Sequence, residues 1–449
     1  MRIKSCLLIW PLLSLLASCG EHKPDTLELP IPRNPAYGAG MASLDSAAYY
    51  DRVLGALVGS AIGDAMGAST EMWNRADIRR VYGYINTLTP AIRPQSPEGT
   101  WNHNLPAGSG TDDTRWKAFT VHYLNRHQEE LGPEAFAKSI TDYYQSVAGD
   151  LGDAADGGNP DALDSTLQRV DWIREWARVA RAYQEGPEAY ALARDRFYGG
   201  EMSCAGMLYT PVFGLIAPDP DSAYRLAYGH ALFDLGYARD ISGLVAALTQ
   251  MALHTRNTDS LLNTAIFTDP FRFQDSRLVG RISAQTAQAA RDYVRKAQLE
   301  PAENLRPALD SLAQLPPNSY PGSTLEWLQQ EYIYGSLEED QEAIPFHAGE
   351  IWEILIAGLQ YGQGDFEKTI AFIVNYGRDN DTVAAVAGMI VGAQVGFEGL
   401  PEAEREEVLQ VSRYLMGIDL EMLAREVCRY PADRQGTILG EPPSPQGLN

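Results

Sequence analysis

The chain has 449 residues, 45% of them hydrophobic and 21% charged, with a formal net charge of −23 and a sequence pI near 4.7. This is the composition of a globular protein, and its acidity excludes the basic face that nucleic-acid binding needs. Four cysteines, with Cys6 and Cys19 close to the N-terminus, exclude a disulfide framework, and no Cys-x-x-Cys or His-x-x-x-His spacing points to zinc.

In chain order, Met1-Arg2-Ile3-Lys4 is a basic start followed by an apolar run from Cys6 to Ala17. The run is too short to span a bilayer, which takes about 20 residues, and has the layout of a signal peptide over residues 1–18. Leu16-Ala17-Ser18-Cys19 is similar to a bacterial lipobox, which implies cleavage before Cys19 and a lipid on its sulfur; the alternative is a plain signal peptide. Residues 19–44, with Pro24, Pro30, Pro32 and Pro35, read as an extended lipidated tether. The expectation is a cell-envelope lipoprotein held to the membrane through Cys19. Gly20 after the cysteine is compatible with the outer membrane of a Gram-negative bacterium.

From residue 45 to about 435 the punctuation is helical, and one all-α domain is expected. A helix over 51–70 carries Gly55, Gly59, Gly63 and Gly67 at spacing four, which puts them on one stripe. Glycine costs helix propensity, so the stripe predicts close approach of another backbone. Gly388, Gly392 and Gly396 repeat the device downstream. A long amphipathic helix is expected over 164–185, with Trp172 and Trp176 packing into the core. Further helices are expected at 187–197, 220–233, 238–254, 283–298, 323–335, 349–361, 365–375 and 402–415. Breaks are expected at 86–110, 149–163, 199–211, 300–322 and 376–382. The tail, 436–449, is proline-rich and reads as disordered.

Two short stretches carry the chemistry. Thr111-Asp112-Asp113-Thr114 and Asp379-Asn380-Asp381-Thr382 each follow a glycine-containing loop and each open an apolar helix. A single Asp or Thr there would be a helix N-cap. Several oxygen ligands within four residues exceed what a cap needs. Hard oxygen ligands without Cys or His suit magnesium, manganese or calcium, and carboxylates from two loops could hold a metal pair that clamps a water. Asp64, inside an apolar run, is costly to bury unless hydrogen-bonded, and a structural role is expected for it. Glu71 lies two helical turns after Asp64 and shares its face if the helix persists.

Three stretches together resemble the ADP-ribosylglycohydrolase family. They are Leu54 to Ala65 continuing to Glu71, then Gly110-Thr111-Asp112-Asp113-Thr114, then Asn375-Tyr376-Gly377-Arg378-Asp379-Asn380-Asp381-Thr382 continuing to Gly396. The resemblance implies an all-helical fold with the site at helix N-termini, and a magnesium-dependent centre of two ions, with manganese as the alternative. The implied metal ligands are Thr111, Asp112, Asp113, Asp379, Asp381 and Thr382. Glu71 and Asp112 are the candidates for the catalytic base. The implied reaction is hydrolysis of a glycosidic bond to ADP-ribose, small or protein-linked, or to a related ribosyl group. Substrate contacts are implied for Asp156, Ser203 and Gly206. The family's Met-Arg pair reads Met207-Leu208 here, which leaves the conjugate open. Two alternatives stand beside this: a non-catalytic, metal-stabilised ligand-binding lipoprotein on the same fold, and a hydrolase of another glycosidic or phosphate ester.

Overall fold

The structure is a computed structural model that describes residues 44–92, 104–128, 131–156, 167, 169–198, 201–309 and 313–430, without the side chains of 153–156. The expected leader, Cys19 with its tether and the expected tail therefore lie outside the described residues. Within them the fold is all-α. Among the described residues the only strands longer than a single bridge are the two-residue segments Trp73–Asn74 and Gly377–Arg378.

The centre of the molecule is an antiparallel pair, Ser46–Gly67 against Asn380–Val395. Both helices are apolar on nearly every face, and the glycine stripe determines how they meet. A methyl built on Gly59 would lie 2.4 Å from the Gly388 carbonyl oxygen, and one on Gly63 would lie 2.0 Å from that of Ala384. Only hydrogen fits between these backbones, so the close approach expected from the spacing is what the stripe provides. The far end of the pair is latched. Arg52 donates to the carbonyls of Ala393 and Gln394 at 3.0 and 2.8 Å, placing a cation at the negative end of the second helix. Asp51 accepts from Phe397 N–H at 3.1 Å. The near end sets the C-terminus of one helix beside the N-terminus of the other.

Other helices wrap this pair: Pro187–Tyr198, Pro220–His230, Ala238–Ala252, Ile282–Leu299, Thr324–Glu339, Ala348–Gly362, Phe366–Tyr376 and Glu402–Tyr414 stand close to their expected places. The helices Arg75–Tyr82, Pro211–Ile216, Thr258–Phe267 and Leu420–Cys428 are not among those expected, and four expected features differ. The first helix stops at Gly67, so Glu71 does not share a helical face with Asp64. The single helix expected over 164–185 turns at Trp172 and Ile173 and resumes as Arg174–Glu185. The indole N–H of Trp172 donates to Arg169 O at 3.0 Å, and its ring packs edge-on to Trp116 at 5.2 Å, so tertiary packing overrides the period. The break expected from 149 is instead the end of a helix, Pro133–Asp156. The proline-rich 300–322 segment contains the short helix Ala302–Leu305 and is tied down by Trp327, whose indole donates to Ala313 O at 2.7 Å. Among the described residues no helix is long and apolar enough to cross a membrane.

Candidate metal centre

Asp64 organises the first motif. It is fully buried near the end of the first helix. Its oxygens accept from Thr111 N–H at 3.0 and 2.9 Å, Thr111 Oγ1 at 2.9 Å, Thr114 N–H at 3.0 Å and Thr114 Oγ1 at 2.6 Å. One carboxylate thus replaces the missing partners at the start of the Asp112–Arg126 helix. Burial, and next the charge of Asp113, raise its pKa to about 6, against the lowering effect of these hydrogen bonds and of Lys117. Gly110 stands against it: a methyl there would lie 2.6 Å from Asp64 Oδ2.

The second motif reaches the same place through strain and a ribbon. Gly377 has φ +89°, and a methyl on it would lie 2.3 Å from Trp73 O. Arg378 and Met72, both non-glycine, also sit at φ 64°, a conformation that persists only when surroundings impose it. Trp73 pairs with Arg378 and Asn74 with Gly377, antiparallel, and Met72 N–H donates to Arg378 O at 2.7 Å. The Arg378 side chain is held by Glu350 and by Glu342 O. This ribbon, and not a continuing helix, brings Glu71 to the motif.

The result is a carboxylate cluster. Ligand oxygens of Glu71, Asp379 and Asp381 all lie within 4.8 Å of one another. Asp379 is the N-cap residue of its helix but makes no capping bond; its Oδ2 instead accepts from the Cys204 thiol at 3.1 Å. Burial, then Asp379, push that thiol well above its ordinary pKa, so Cys204 is a neutral donor. Asp112 faces the cluster, its pKa raised well above the ordinary range by burial and then by Asp113, Asp64 and Asp379. Three carboxylates converging on one point beside Asp112 are a concentration of negative charge that a divalent ion would neutralise. The donors fit a hard cation.

These groups line a cavity of about 200 Å³. Glu71, Asp112, Asp379, Asp381 and Thr382 form its floor. Ser203, Cys204 and Leu208 form one wall, and Trp172, Trp176, Tyr198 and Phe346 an aromatic one, with Asp171 and Glu175 also lining it. Of the expected site residues, Thr111 and Asp113 sit behind this floor. Gly206 sits behind the wall: its N–H donates to Asp234 at 2.7 Å, and a methyl there would meet Asp234 and Ser242. Asp156 ends a helix, and its side chain is outside the described part. Trp172 and Trp176 combine core packing with cavity lining. Sequence reasoning missed Lys117, although its i,i+4 spacing from Asp113 was a usable signal.

A model of the family ADP-ribosylglycohydrolase matches residues 45–436. The chain belongs to the ADP-ribosylglycohydrolase family and is a glycohydrolase-like enzyme. An uncharacterized protein of Escherichia coli (strain K12), YegU, is 21% identical over 388 residues, covering 86% of this chain and 98% of that one. A solved structure of an "ADP-ribosylglycohydrolase-related protein complex" is similar with a TM-score of 0.49 and 19% identity, covering 86% of this chain and 99% of its own.

Proposed function

We propose that the protein is a magnesium-dependent hydrolase that cleaves the glycosidic bond between a leaving group and ADP-ribose or a related ribosyl unit. The observation that carries this reading is the convergence of Glu71, Asp379 and Asp381 on the cavity floor beside Asp112. Glu71, Asp379 and Asp381 would hold the ion, with the Thr382 hydroxyl next to them. When bound, a divalent ion orients the ribose hydroxyls and lowers the pKa of a water. Asp112, lining the cavity beside these three residues, would serve as the general base, its carboxylate accepting a proton from the attacking water. The surrounding negative charge favours the oxocarbenium-like transition state at C1 of the ribose. Trp172, Trp176, Tyr198 and Phe346 exclude bulk water on the other side, which strengthens each electrostatic contact on the floor. A cavity of this size suits one sugar ring, with the rest of the conjugate toward its mouth.

The test is release of free ADP-ribose from arginine-linked, serine-linked and small ADP-ribosyl conjugates. Turnover of at least one is expected with Mg²⁺ and not with EDTA. A metal-loaded protein that turns over none of them nor any other ribosyl compound contradicts the proposal and favours the ligand-binding alternative.

We also propose that the enzyme works at the cell envelope of a Gram-negative bacterium, anchored by lipid on Cys19. The Leu16-Ala17-Ser18-Cys19 sequence supports this. Palmitate labelling of the expressed full chain is expected and should vanish in Cys19→Ser; labelling that survives in that variant sinks the assignment.

A further inference from the structure

A lysine ammonium stands inside the metal centre. Lys117 lies one turn after Asp113 on the Asp112–Arg126 helix, and their side chains are only 3% and 1% exposed. Lys117 Nζ is 2.7 Å from Asp113 Oδ1, and the other Asp113 oxygen accepts from Thr382 Oγ1 at 2.8 Å. Both oxygens of Asp113 are therefore engaged on the protein side. Thr111 sits behind the cavity floor, its hydroxyl 2.9 Å from Asp64 Oδ1 and 3.3 Å from Asp381 Oδ2. A second divalent ion would draw on Thr111, Asp112 and Asp113, and of these only Asp112 lines the cavity.

The first ion is in a different position. Glu71, Asp379 and Asp381 already offer carboxylate oxygens around one point, and magnesium commonly keeps several waters to complete its octahedron. A second ion bound through Asp113 would have to displace or face a buried ammonium that has no path to solvent charge screening. Moving Lys117 away would bury an unpaired charge, which is strongly unfavourable.

We propose that Lys117 takes the place of a second divalent ion, so that the centre binds one ion, at Glu71, Asp379 and Asp381. The ammonium neutralises Asp113 and fixes the Asp112–Arg126 helix against Thr382. Asp112, bound to no ion, keeps its carboxylate available as the base. This inference rests on the divalent-ion reading of the cavity, and the experiment separates the two.

The probe is Mn²⁺, added to the full chain and followed by equilibrium dialysis and electron paramagnetic resonance. The wild type is expected to bind one Mn²⁺ per chain, with the spectrum of an isolated ion. Asp113→Asn should leave the Mn²⁺ Kd within about threefold of wild type, whereas Asp381→Asn should weaken it by about a hundredfold or more. Lys117→Arg should stay at one ion, and Lys117→Met should admit a second, spin-coupled to the first. Two coupled ions in the wild type, or equal losses in Asp113→Asn and Asp381→Asn, overturn the one-ion centre and leave the hydrolase standing. No Mn²⁺ binding by the wild type overturns both. If Lys117→Met or Asp113→Asn does not fold, the wild-type stoichiometry and spectrum decide.

Discussion

Asp381→Asn is expected to lower kcat/KM for the cleaved ribosyl substrate by about 10³-fold or more, with the folded protein retained. The substitution keeps the side chain's shape. It preserves the helix start, where the space beside Gly67 is already filled by the Asp381 backbone, 2.3 Å from where a methyl on Gly67 would be. It removes one negative charge from the Glu71–Asp379–Asp381 cluster. Charge stabilisation by a bound metal supplies several kcal/mol to a transition state, and a loss of about 4 kcal/mol is close to a thousandfold in rate. The metal-free protein should not be destabilised, because the change relieves repulsion among buried carboxylates. Steady-state kinetics in Mg²⁺ together with thermal unfolding in EDTA check both halves. A folded variant that keeps more than about a tenth of wild-type kcat/KM would remove Asp381 from the ion-holding set.

Gly63→Ala is expected to destabilise the fold by about 2 kcal/mol or more. In an isolated helix the same change would stabilise by about 1 kcal/mol. Here the methyl would lie 2.0 Å from the Ala384 carbonyl oxygen and 2.4 Å from its carbon. These are backbone atoms of a buried helix and cannot swing aside. The helices must separate, and the separation acts on Asp64 next door, whose bonds to Thr111 and Thr114 set the first motif. Activity should therefore fall with stability. Gly335, in the Thr324–Glu339 helix, is the control, because a methyl there meets nothing within 4 Å; Gly335→Ala should be neutral or stabilising. Urea unfolding of both variants in EDTA measures the contrast, and a neutral Gly63→Ala would mean that the stripe does not set the helix spacing.

The helical architecture was legible because long runs between clear Gly and Pro stops lack strand alternation, and the glycine stripe announced its own partner in Gly388 and Gly392. The hidden parts depend on distant contacts. Glu71 was expected at the cluster by a helical-face argument, but it arrives by a two-residue ribbon whose conformation depends on Gly377 and on left-handed Met72 and Arg378. The turn at Trp172 follows from aromatic neighbours on other helices. Gly206 carries the look of a substrate loop, yet its space is taken by Asp234 and Ser242, residues that no local pattern connects to it. The two motifs read alike in sequence but divide the work: Asp112 turns inward while Asp113 and Thr111 turn to Lys117 and Asp64. That division follows from which side of a helix N-terminus faces the cavity.

The most direct test of the central claim is anomalous diffraction from crystals of the protein grown with Mn²⁺. The expected result is a peak in the cavity, ligated by carboxylate oxygens of Glu71, Asp379 and Asp381. A cavity without a peak at saturating Mn²⁺, or a peak ligated by other residues, would contradict it.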